Sequence, residues 1–312
     1  MTNAPRSPIA AGFAALSHGK LVLLLALTTA LLGLTAAMPA IPTLQEWLGG
    51  TLAGDAFVRN QPTQAPGLLF DLVQEKWPAF SGVRRSANFA GVLGLLLQVF
   101  FAGGIISVLG RGPFSFGQFL EPARRNFWHN IKCLLIFVLL LGVILGPWFG
   151  AVHAATRALE HTPPDAAVRS LTIWACVVVT VLLFAVLSLL YDFARAARRY
   201  AGVGAWRGYR FAWRALSGAW LRGLGLWIFW ALIGTAVVLV GFALTWAMPA
   251  VSPLAIAILL FFQFGVLWLR SAVRVATWGS YLEFLDARAR HAIAATARIR
   301  YTVASPAAPS PI

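Results

Sequence analysis

Six stretches of the chain, Leu21 to Ala37, Phe89 to Leu109, Ile131 to Val152, Leu171 to Tyr191, Leu224 to Ala247 and Leu254 to Trp278, are apolar and almost free of charge. Each reaches the roughly 20 residues a helix needs to cross a hydrocarbon core about 30 Å thick. Between them the pattern changes to aromatic and arginine residues at helical spacing, as in helices that lie along a membrane surface. The pattern predicts an all-α, polytopic integral membrane helix bundle of about six transmembrane helices with interfacial amphipathic helices. Its parts are an N-terminal segment (1–20), a six-span domain (21–278) with connections at 39–87, 110–130 and 192–222, an amphipathic helix (279–304) and a disordered tail (305–312). The N-terminal segment as far as about His18 is also expected to lack structure.

Composition supports a membrane protein: 59% of residues are hydrophobic, only 11% are charged, and mean hydropathy is +0.76. Soluble domains carry roughly a quarter charged residues. The net charge of +15 is unevenly spread, because the alternate segments that include both termini hold 19 Lys and Arg against 6 in the others. Short cytoplasmic loops retain basic residues, so both termini are assigned to the cytoplasm and the chain to a bacterial inner membrane as a multi-pass protein. The same asymmetry argues against nucleic acid as a partner, since the excess sits beside membrane helices whose lipid phosphates are nearer. Only three of the 25 basic residues are Lys, which leaves an arginine surface suited to bidentate phosphate contacts. Residues Thr35, Ala36 and Ala37 resemble a signal-cleavage site, but the apolar core before them exceeds the usual length and five more spans follow, so a retained anchor is expected. Cys133 and Cys176 fall at different depths of the bilayer and are not expected to form a disulfide.

Two connections align at an offset of 90 residues: Phe116, Phe119, Arg124, Lys132 and Phe137 oppose Trp206, Tyr209, Arg214, Arg222 and Trp227. Each reads as an amphipathic helix leading into the next span, by duplication or by chance. Tyr281, Phe284, Leu285 and Ile293 suggest a third. In the outer connection, Thr43 with Glu46 and the run Gly67 to Trp77 predict two short amphipathic helices.

Ionisable residues in mid-bilayer, the usual mark of membrane enzymes and ion-coupled transporters, are missing from the six spans. Gln98 and Gln263 are expected to bridge helices. His153, Glu160, His161 and Asp165 lack an established metal-ligand spacing, His129 and Cys133 read as a packed pair, and Gly202, Gly204 and Gly208 lack the preceding strand of a nucleotide loop. No catalytic residue, cofactor or metal is assigned. Three other groups are. Arg195, Arg198, Arg199, Arg207, Arg210, Arg214 and Arg222 form a face for anionic lipid, phosphatidylglycerol or cardiolipin, or for a protein partner. Asp192, among Arg195, Arg270 and Arg274, is expected to latch the fourth span to a neighbouring helix or to Arg195 one turn on. Gly142, Gly146 and Gly150 recur every four residues and are expected to receive another helix, within the chain or in a homo-oligomer.

The run Gly103-Gly104-Ile105 before an aromatic helix, Arg124 and Trp128 entering the next span, and Tyr191-Asp192-Phe193-Ala194-Arg195 resemble a group of uncharacterised six-helix bacterial membrane proteins. Their layout is similar to that of the membrane domain found beside some glycerophosphodiester phosphodiesterases. The resemblance covers most of the chain, implies the same bundle and transfers no catalytic residue. The function expected is that of a non-enzymatic scaffold or accessory subunit acting through the arginine face; the alternative is a transporter or export factor for a hydrophobic or lipid-like substrate.

Overall fold

The computed structural model describes residues 7–37, 81–109, 114–161, 166–247 and 253–304. Among these it is 94% helical and contains no strand. The helices are α1 (Pro8–Ala15), α2 (Gly19–Ala37), α3 (Ser81–Val108), α4 (Phe116–His161), α5 (Ala166–Ala201), α6 (Ala205–Leu216), α7 (Trp220–Ala247) and α8 (Pro253–Ala304). Five stretches, Asn88–Val108, Phe116–Ala154, Ser170–Arg199, Trp220–Thr245 and Ala257–Arg288, are long and apolar enough to cross a membrane. A sixth is reached if α1 and Gly19–Thr35, bent by 73° at the break between them, count together. The protein is thus an α-helical bundle with the length and composition of a multi-pass membrane protein.

Several boundaries differ from those expected. The N-terminal segment contains α1, started by Pro8 at its first position with the Ser7 hydroxyl accepting from the Ala10 amide at 3.2 Å. Such a cap satisfies a backbone donor that would otherwise have no partner. The connection 110–130 is helical from Phe116 and runs without a break into the span, because nothing between Phe116 and Ile131 ends a helix: Pro122 is accommodated within it. Likewise 279–304 continues the last span, and 192–222 is mostly helix, interrupted at 202–204 and 217–219. The amphipathic helices expected at Thr43 and at 67–77, and the tail 305–312, lie outside the described residues. At about 1.5 Å per residue, the 46 residues of α4 reach about 69 Å and the 52 of α8 about 78 Å, more than twice a hydrocarbon core.

The helices fall into two compact units. One comprises Met1–Ser17, Trp128–Ile228 and Ala276–Ile312, the other His18–Phe127 and Phe229–Val275. In the second unit α2 packs on α3, and α3 receives the start of α4 at a pair of glycines. A β-carbon placed on Gly104 would fall 2.5 Å from the Phe119 ring, and one on Gly103 would meet the Pro122 carbonyl oxygen at 3.2 Å. Phe101 and Phe119 pack at 5.6 Å between ring centroids beside this joint. Elsewhere in that unit Gly241 closes on Val266, and Gln263 donates to the Thr245 hydroxyl and the Gly241 carbonyl, the interhelical bridge expected of it. Gln98 is exposed.

The first unit holds the arginine-rich end. Phe193, Ala194, Ala196 and Ala197 of α5 are fully buried with Tyr281 and Leu285 of α8, and the Phe193 ring meets Tyr281 at 5.3 Å and Phe284 at 5.6 Å. α1 joins the same end, with Ala15 and Gly12 against Gly279. Between α4 and α5, Trp148 donates to the Thr180 hydroxyl at 2.8 Å and Phe137 stacks on Tyr191 at 4.8 Å.

The face of Gly142, Gly146 and Gly150 is not packed as expected. All three are exposed, and a β-carbon on any of them meets nothing within 4 Å. Only 6% of the apolar window in Phe116–Ala154 is buried, so no described helix of the chain covers this groove. Close helix approach depends on a partner at the right height, and Gly103, Gly104, Gly208, Gly241 and Gly279 are among the glycines that have one.

Candidate lipid-facing site

The site is built on α6. Its sequence AWRGYRFAWRAL puts Ala205, Gly208, Tyr209, Ala212 and Leu216 on one side, all buried. The opposite side carries Trp206, Arg207, Arg210, Trp213 and Arg214, all exposed. Gly208 makes the close approach possible: a β-carbon there would stand 2.8 Å from the Ala194 carbonyl oxygen of α5, a backbone atom that cannot rotate aside. Tyr209 next to it donates from its hydroxyl to the Cys133 carbonyl at 2.9 Å, fixing α6 to α4. Burial, the largest influence, holds its phenol well above the usual value, so it remains a donor.

The helix ends where Ser217 leaves the helical region and Gly218 takes a φ of +75°, a left-handed conformation that favours glycine. Arg288 of α8 caps it, donating from Nε to the Ala215 carbonyl at 3.1 Å and from Nη2 to that of Ser217 at 2.5 Å. Beyond the turn Trp220 sets its ring edge-on to Trp213 at 5.1 Å.

Beside α6, facing α4, is a groove of about 640 Å³ lined by Lys132, Leu135, Ile136, Trp206 and Arg207 with the backbone at Gly204 and Ala205. Lys132 was not singled out as a site residue. The signal for it is its place as the last charge before an uncharged run to Arg157, where a phospholipid phosphate would stand.

The predicted arginine face divides. Arg199, Arg207, Arg210, Arg214 and Arg222 are exposed and Arg198 is half-buried. Arg195 does not belong to the face: its side chain is 7% exposed, with Cζ 4.0 Å from the Tyr191 ring centroid and 4.9 Å from that of Trp278. A delocalised, weakly hydrated guanidinium is the cation best suited to such a slot. Asp192 accepts a hydrogen bond from Arg195 Nη2 in an ion pair within α5. Arg270 and Arg274 lie in the other unit.

Among the described residues no group of three His, Cys, Asp or Glu could hold a metal. His153 is described, while the side chains of Glu160, His161 and Asp165 are not. His129 Nε2 stands 3.6 Å from Cys133 Sγ, both buried, as the packed pair expected of them. Gly202 (φ +60°) and Gly204 flank the turn into α6. No protein-family model, curated protein or solved structure matches the chain.

Proposed function

We propose that this is a non-enzymatic, multi-pass inner-membrane protein, a scaffold or accessory subunit that works through an arginine and tryptophan face on anionic lipid. The observation that carries the reading is the division of α6, with Arg207, Arg210 and Arg214 exposed between Trp206 and Trp213 while the opposite side is buried. Indole rings favour the headgroup level. Each basic residue near an anionic leaflet gains up to about 1 kcal/mol, less screening. The cytoplasmic location of this face and of both termini is supported by the 19 to 6 division of basic residues.

The test is reconstitution in nanodiscs of mixed phosphatidylcholine and phosphatidylglycerol, followed by lipid analysis of the protein-containing discs. Arg210→Ala/Arg214→Ala is expected to lower the phosphatidylglycerol enrichment seen with the natural chain. Unchanged enrichment would leave these arginines as topology determinants only. Transfer of labelled lipid across proteoliposomes faster than in protein-free vesicles would replace this reading with that of an exporter of a lipid-like substrate.

A further inference from the structure

We propose that the groove between α4 and α6 is a discrete seat for one anionic phospholipid, its phosphate held by Lys132 and Arg207 and an acyl chain laid along Leu135, Ile136 and Trp206. The proposal rests on the lipid-facing reading of α6 and deepens it from a diffuse face to a bound molecule. Three observations select an amphiphile. The groove's two charged lining residues are both cations, contributed by different helices, and no acid lines it. Its apolar wall belongs to α4, within the stretch Phe116–Ala154 that can cross a membrane, so the wall continues from the headgroup level into the acyl layer. The groove is open-sided, with a volume of about 640 Å³, which suits a lipid lying along a helix face rather than an enclosed small molecule.

The geometry of the groove is fixed from behind. Tyr209, three residues after Trp206, is tied to the Cys133 carbonyl one residue after Lys132, so the positions of the two cations follow from a buried hydrogen bond. Arginine supplies a planar fork and lysine a point charge, a pair that can hold one phosphate from two sides. A free inorganic phosphate would use the cations and leave Leu135 and Ile136 unused. A phospholipid uses both.

Native mass spectrometry of the full chain, released from micelles doped with dioleoylphosphatidylglycerol, tests this directly. The natural chain is expected to keep one phosphatidylglycerol after the others are stripped. Lys132→Ala/Arg207→Ala is expected to weaken that last adduct roughly tenfold or more, Lys132→Arg to keep it, and Arg210→Ala/Arg214→Ala to keep it as well. Retention of the last lipid by Lys132→Ala/Arg207→Ala overturns the seat. Its loss in Arg210→Ala/Arg214→Ala, with equal loss elsewhere on the face, also overturns it by returning the binding to a diffuse surface. Failure of the face itself reads out differently, in the bulk nanodisc composition. Excess glycerophosphoglycerol, the water-soluble headgroup alone, is expected not to displace the adduct; displacement would overturn the assignment to a whole lipid. Both cations are exposed, and the variants' melting curves in detergent should match the natural chain.

Discussion

Residues 101–128 and 191–218 are two versions of one joint. At positions ninety apart, Phe116 and Trp206 are exposed, Phe119 and Tyr209 buried, Pro122 and Ala212 buried, Arg124 and Arg214 exposed. Gly104 and Ala194, also ninety apart, are where each preceding helix receives the amphipathic segment. The versions differ in two ways. Where the first has Ala102 and Ile105, both fully buried, the second has Asp192 and Arg195. The first amphipathic segment continues into its span, whereas the second is broken at Gly218 and capped by Arg288. What the two joints share is therefore a close approach at a glycine, Gly104 against the Phe119 ring and Gly208 against the Ala194 carbonyl, with a buried aromatic in the arriving segment. The ion pair and the break are features of one copy.

The largest effect should come from the ion pair. Asp192→Ala leaves the buried Arg195 without its counter-charge and is expected to destabilise by about 3 kcal/mol, whereas Asp192→Ala/Arg195→Ile, which installs the pair found in the other copy, should recover most of that. Unfolding in denaturing detergent measures both, and a double variant no better than the single would mean that the two joints are not interchangeable.

Next, Gly208→Leu and Gly104→Leu should each cost about 1–3 kcal/mol by forcing a side chain against backbone. Gly146→Leu, the substitution that the glycine spacing alone marks as damaging, should be neutral; loss of assembly in that variant would reveal a second copy seated on the face. Gly218→Ala, strained at positive φ, is expected to cost about 1–2 kcal/mol, with no matching effect in the unbroken copy. The smallest change is Tyr209→Phe, about 1 kcal/mol for its hydrogen bond. Because burial raises the Tyr209 value, its contribution is present below the usual phenol value near 10 and lost as pH rises through the folded value. Tyr209→Phe should remove that alkaline component of the stability profile.

The spans and the amphipathic character of α6 were legible in the sequence because run length and i, i+3 spacing are local properties. The continuity of α4 was less legible, since Pro122, Asn126 and Asn130 lie between Phe119 and Ile131 and would equally suit a break, whereas Ser217-Gly218 does mark one. The burial of Arg195 was not legible. It depends on Trp278 arriving from a helix about eighty residues away, and a guanidinium in an arginine-rich stretch reads as surface until that ring is located. The same holds for the glycines: a four-residue repeat of small side chains describes a groove, but only the partner's height decides whether it is filled. Lys132 stands in the sequence only as a partner of Arg222 in the ninety-residue alignment, and its place beside Arg207 in one groove depends on how α6 packs on α4.

The two thiols of the chain differ in a way that has practical use. Cys133 is fully buried at the joint of α4 and α6, and Cys176 is half-buried on α5. A small maleimide applied to the folded protein should therefore mark Cys176 first, and Cys133 only once the arginine-rich end has come apart. The natural chain carries its own built-in reporter, in which the ratio of the two labels times the opening of that end without an engineered cysteine.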